Sequence, residues 1–111
     1  MSELAQRKCE PCEGGMPPIP PERVADLQGE IDAAWQVEEG RQLRRSFKFP
    51  DFTDAFGFAT RVALVAESEG HHPDFELGWG RVVLVLTTHA AKGLTDNDFI
   101  MAAKIDRLIT R

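Results

Sequence analysis

Pro50 and Gly70 bracket the segment that most constrains this fold. Proline lacks a backbone N–H and cannot continue a central strand, so Pro50 ends whatever precedes it. Asp51 follows as a good helix N-cap, and Asp54 sits three residues on, in the first turn. Phe52, Phe56, Ala59, Ala63 and Ala66 then recur at helical spacing, and Gly70 is placed to close the helix. The pattern predicts a helix over 51–69, with small residues that let it lie close against a sheet. Phe56, Phe58 and Val62 read as core or interface packing.

A strand pair flanks this helix on each side. Upstream, Leu43, Arg45, Phe47 and Phe49 alternate with Arg44, Ser46 and Lys48, the period of a strand with one buried face. Residues 35–38 pair with it through a turn at Glu39-Gly40. Downstream, Phe75, Leu77 and Trp79 alternate, and 81–88 contains the apolar run Val82-Val83-Leu84-Val85-Leu86. A turn near Gly78 or Gly80 joins the two, and the continuous apolar run suits a central strand or one at a subunit interface. A first helix starts near Pro21 or Glu22 and runs through Val24 and Leu27 towards Ile31, weakened by Gly29. A last helix covers 95 to about 110, where Thr95 with Asp98 resembles a capping box with Asp in place of Glu. The order helix, hairpin, helix, hairpin, helix predicts an α+β two-layer domain with helices over one face of an antiparallel sheet.

The chain has 111 residues, enough for one domain with a modest core. Residues 1–20 read as a flexible leader, with prolines at 17, 18, 20 and 21 favouring extended backbone, and 21–111 as the domain. Cys9 and Cys12 stand in the leader as C-x-x-C, which cannot alone complete a four-ligand zinc site. They read as reduced thiols, with a bridge to a partner chain or a metal shared between chains left open. A hydrophobic share of 42% and a charged share of 28% are ordinary for a soluble globular chain. A net charge of −5 without a basic stripe argues against nucleic acid. No apolar run reaches the roughly 18 residues of a membrane span, and no signal peptide is evident. The expectation is a cytoplasmic protein.

His71, His72 and His89 are the three histidines of the chain, and all stand at the edges of elements. Pro73 pushes His72 towards extended backbone, so adjacent side chains point opposite ways and His71 and His72 should not share one role. Imidazole suits proton transfer near neutral pH. The blander alternative for each is a solvated side chain or a cap on a carbonyl. A metal site built from the histidines with Glu67, Asp74 or Asp98 is the other sharp reading, although H-E-x-x-H and H-x-H are both absent. A carboxylate at Asp98 is favourable in a first turn without any function. Trp35 and Trp79 are, on type alone, core or interface residues.

Glu67, His71-His72-Pro73, Trp79, His89 and Asp98, at these gaps, resemble the active-site motif of the pterin-4a-carbinolamine dehydratases. The helix around Phe56-Gly57-Phe58-Ala59-Thr60-Arg61-Val62-Ala63-Leu64 is similar to that family's second helix, as are Thr87-Thr88-His89 and Gly93-Leu94-Thr95. The stretch from Cys9 to Gly15 is similar to bacterial members. Phe75 stands where many members have Trp, and Gly80 where many have Asn. The resemblance implies a four-stranded antiparallel sheet with three helices on one side, assembled as a homodimer or a homotetramer of two dimers.

It also implies loss of water from 4a-hydroxytetrahydropterin to give quinonoid dihydropterin, recycled to an aromatic amino-acid hydroxylase, with no metal and no redox cofactor. His71 and His89 would act as acid and base, and His72 would bind the pterin and assist. Asp98 would orient an imidazole, Glu67 and Pro73 would support the pair, and Trp79 and Trp35 would wall the pocket. The rival readings are a regulatory or assembly partner of another protein, of the dimerisation-cofactor kind, and a metal-dependent hydrolase or lyase.

Overall fold

The computed structural model describes residues 3–11 and 17–109. Its elements run α1 (Pro21–Gln28), β1 (Gln36–Glu38), β2 (Gln42–Lys48), α2 (Phe52–Glu69), β3 (Asp74–Gly78), β4 (Arg81–Leu86) and α3 (Asp96–Ile109). The four strands form one antiparallel sheet in the order β1-β2-β4-β3. The α+β two-layer order read from the pattern is the order observed.

The ends of α2 are those its sequence dictates. Asp51 accepts the Asp54 N–H at 2.8 Å, and Gly70 closes the helix with φ 68°, a left-handed conformation that carries a cost for any residue with a Cβ. The buried stripe is rotated from the expected one. Ala55, Phe58, Ala59, Val62 and Ala66 face the core, whereas Phe52 and Phe56 are 46% and 54% exposed. Both stripes have helical spacing, so spacing alone could not choose between them. The opposite layer of the core comes from Leu43 and Phe47 on β2 and Val82, Leu84 and Leu86 on β4.

Three boundaries differ from expectation. Helix α1 stops at Gln28, and Ile31 is buried from the loop that follows. Strand β2 ends at Lys48, before Phe49. Strand β4 ends at Leu86; beyond it Thr88 makes an isolated bridge to Gly93, and His89–Ala91 form a 3-10 turn. The β3–β4 turn is Trp79-Gly80, with Gly78 paired to Arg81. Gly80 is required there by close approach: its carbonyl accepts the Phe49 N–H at 2.8 Å, and a Cβ would lie 2.7 Å from the Phe49 oxygen.

The segment read as a leader is packed where it is described. Leu4–Gln6 form a 3-10 turn, Leu4 is buried in the core, and Cys9 packs against it half-buried. Lys104 on α3 donates to the Ala5 carbonyl at 2.8 Å, and Glu69 at the end of α2 accepts the Cys9 N–H at 2.8 Å. Cys12 lies outside the described residues, as do the glycines beside it, so any pairing of Cys9 with Cys12 does too. Among the described residues no helix is long and apolar enough to cross a membrane.

Candidate active site

One carboxylate organises the site. Asp98 is fully buried in the first turn of α3. Its Oδ2 accepts the Thr95 N–H at 2.9 Å, which completes the capping box, and the Thr88 hydroxyl at 2.8 Å. With its hydrogen committed to Asp98, Thr88 accepts from the Thr95 hydroxyl at 2.8 Å. The other carboxylate oxygen, Oδ1, lies 2.6 Å from His71 Nε2. Burying a carboxylate is unfavourable unless its oxygens are bonded, and here three donors converge on them. The same group therefore caps a helix and holds an imidazole.

His71 reaches Asp98 because Gly70 turns the chain at the end of α2, with the His71 N–H returning to the Ala66 carbonyl at 3.3 Å. The His71 side chain is 11% exposed. An ionised carboxylate only accepts, so in that pairing the ring donates through Nε2 and Nδ1 is the nitrogen left for other partners. His72, the next residue, is exposed. Its Nε2 lies 2.9 Å from Glu67 Oε1, and the two side chains are 58% and 81% exposed. His89 is exposed at the start of the 3-10 turn after β4. Pro73 is buried and lines the same cleft.

These residues surround one open cleft of about 380 Å³, lined by His71, His72, Pro73, Asp74, His89 and Ala90, together with Gly70, Thr87, Thr88, Glu10 and Asn97. His71, His72, His89 and Pro73 of the expected set come together here, with Glu67 and Asp98 bonded to them. The tryptophans are elsewhere. Trp35 is 2% exposed in the core, edge-on to Phe47, with its Nε1–H donating to Asp106 Oδ1 at 2.7 Å. Burial pushes the Asp106 carboxyl above its ordinary range, against the opposing hydrogen bond from the Asp32 N–H. Trp79 is 70% exposed at the β3–β4 turn, the end of that hairpin remote from Asp74. Neither lines the cleft of its own chain.

Thr88, Asn97 and Glu10 also line the cleft and were not among the candidates that the sequence offered. Thr88 stands beside His89 and could have been suspected from that alone. Asn97 and Glu10 are 87 positions apart and share no pattern. Among the described residues no three His, Cys, Asp or Glu side chains are grouped to hold a metal ion.

Three imidazoles, one of them bonded to a buried carboxylate, share a polar cleft on an α+β domain, and imidazoles are groups able to exchange protons near neutral pH. The chain belongs to the pterin-4-alpha-carbinolamine dehydratase family, whose family model, described as Pterin 4 alpha carbinolamine dehydratase, matches residues 17–108. That activity is a hydro-lyase activity. A relative from Rubrobacter xylanophilus that carries the family's name is 46% identical over 97% of this chain and 100% of its own. One from Rickettsia canadensis is 44% identical over 98% and 100%. A crystal structure described as a transcriptional coactivator/pterin dehydratase from Brucella melitensis superposes with a TM-score of 0.76 at 37% identity, covering 82% of this chain and 97% of that one. A pterin dehydratase-like protein described as a RuBisCO assembly factor in the alpha-carboxysome gives 0.60 at 22% identity over 69% and 90%, a likeness of fold.

Proposed function

We propose that this chain removes water from a 4a-hydroxytetrahydropterin, yielding the quinonoid dihydropterin for reduction and return to an aromatic amino-acid hydroxylase. The observation that carries this is the His71–Asp98 pair, 2.6 Å apart, in a cleft shared with His72 and His89. The substrate carries a hydroxyl on C4a and a proton on N5. One imidazolium gives its proton to the departing hydroxyl, which leaves as water as the C4a–O bond breaks. A neutral imidazole takes the N5 proton, and the N5 electrons form the new C=N bond. One proton is given and one taken, so the site needs no net proton supply. His71 and His89 fill these two roles, and His72 binds the pterin and assists transfer. A well-placed acid or base contributes about 10²–10⁴-fold.

The test is a coupled assay with a phenylalanine hydroxylase, following the 4a-hydroxypterin intermediate. The protein is expected to speed its disappearance well above spontaneous dehydration. An unchanged rate at micromolar protein would end this reading.

The same reading includes self-association. Phe56, Phe75, Leu77 and Trp79 are exposed, and a groove of about 270 Å³ between α2 and the edge strand β3 is lined by Phe56, Ala59, Thr60, Ala63, Phe75 and Leu77. An apolar strip along an unpaired strand edge is a surface that a second copy covers. Sedimentation equilibrium should give a dimer or tetramer, and a stable monomer would remove this part. The Brucella relative is also described as a coactivator. A partner-binding role here would use this strip, so it would survive substitutions in the cleft.

A further inference from the structure

The N-terminal strap, residues 3–11, lies ahead of the stretch that the family model matches, yet its Glu10 is among the residues that line the cleft. It is fastened by contacts that specify position. Asn97, 6% exposed, clasps one residue on both sides: its Oδ1 accepts the Glu10 N–H at 2.9 Å, and its Nδ2 donates to the Glu10 carbonyl at 2.7 Å. Glu69 holds the preceding Cys9 N–H at 2.8 Å. Asn97 immediately precedes Asp98, and Glu69 lies two residues before His71, so the strap is tied to the same two places that hold the imidazole–carboxylate pair. Residue 10 thus has a set place relative to His71, and it is an exposed residue that lines both this cleft and the neighbouring groove of Arg7, Asp96 and Asn97.

We propose that Glu10 is a substrate-recognition residue of the histidine cleft and that Asn97 is the positioning residue that holds it there. This rests on the reading of the cleft as a pterin site. The chemistry follows from the two ends of the ligand. The elimination takes place at C4a and N5, and imidazoles serve it. The pyrimidinone end presents two adjacent donors, N3–H and the 2-amino group, at a spacing that the two oxygens of a carboxylate accept together. A carboxylate on the wall gives that end a partner and sets which way round the flat ring enters. The ligand class is therefore a 2-amino-4-oxo bicycle, and a 2,4-dioxo analogue lacking the amino donor is discriminated against.

The experiment is a fluorescence titration of the full chain with 6-hydroxymethylpterin and with 6-hydroxymethyllumazine, which differ at that donor. The unaltered protein should prefer the pterin. Glu10→Gln should reduce the preference about tenfold, the factor of one charge-assisted hydrogen bond. It should also raise KM about as much while leaving kcat within about threefold, as for a contact made equally in ground and transition states. Asn97→Ala should lower the same preference, a readout that a purely structural loss would not move. A preference that survives Glu10→Gln overturns the proposal. So does its loss on Asp74→Asn instead, since Asp74 is the other carboxylate lining the cleft. Absence of pterin binding by the unaltered chain overturns the pterin reading and this inference together, and is told from a failure at Glu10 by the unaltered chain alone.

Discussion

His71 and His72 are neighbours in the chain, and each meets a carboxylate, yet the two pairs are physically unlike. His71–Asp98 is 2.6 Å long with side chains 11% and 0% exposed; His72–Glu67 is 2.9 Å long with side chains 58% and 81% exposed. The first joins two elements through a group that cannot move without breaking its bonds to the Thr88 hydroxyl and the Thr95 N–H. The second closes on one helix end at the solvent-exposed surface, where such a pair contributes about 0–1 kcal/mol and each partner can take other rotamers. Distance alone would rank them as near equals. Burial and the number of further bonds decide that one is a fixture and the other an adjustable contact.

The largest test of that contrast is Asp98→Asn. An amide brings a donor to a place where three donors already point, so stability should fall by about 2–4 kcal/mol in urea unfolding. Dehydratase turnover should fall at least about 100-fold, since His71 loses its acceptor. Turnover within about threefold of the unaltered protein would show that the buried pair serves the helix cap alone.

The next test uses the exposed pair. His72→Ala should lose about tenfold or more in turnover with an unfolding midpoint little changed, because the ring contributes chemistry or binding and almost no packing. Glu67→Gln should stay within about threefold in turnover and about 0.5 kcal/mol in stability. A Glu67→Gln effect as large as that of Asp98→Asn would erase the distinction between the pairs.

The smallest effect concerns a third carboxylate, Glu69, whose side chain is 9% exposed but which answers to a backbone N–H. The Cys9 N–H holds its carboxyl below the ordinary value of 4.5, with Lys104 adding to the shift against burial. A folded value below the unfolded one adds stability that is fully present above about pH 4.5 and is lost as pH falls through the folded value. The Cys9 amide resonance should therefore stay fixed through neutral pH and move only in acid, below that point. A midpoint at or above 4.5 would contradict the contact. The Cys9 thiol, pushed up to about 12 by burial and the Glu69 charge, stays protonated throughout this range.

Much of this was legible from local pattern. Asp51 and Gly70 announce the limits of α2, the alternation about Phe47 gives β2, and Thr95 with Asp98 marks the start of α3. These signals are legible because each lies within one turn or one strand of chain. What local pattern could not supply is direction after folding. Phe56 and Phe58 both read as packing residues, yet one is 54% exposed and the other fully buried, because the sheet meets only one side of α2. Trp35 could not be placed until Asp106, 71 residues away, was seen to accept its N–H. The clasp of Asn97 on Glu10 is a backbone contact and leaves no trace in residue type or period. The site was legible as a set of histidines, whereas their unequal anchoring became visible only in three dimensions.

The bond from His71 to Asp98 spans 27 positions and is made only when α3 has docked beside the end of α2. Neither helix carries the pair by itself. Enzymatic turnover is then a clock for a late assembly step: during refolding, far-UV ellipticity should return as α2 and α3 wind, and activity should lag until the two are joined.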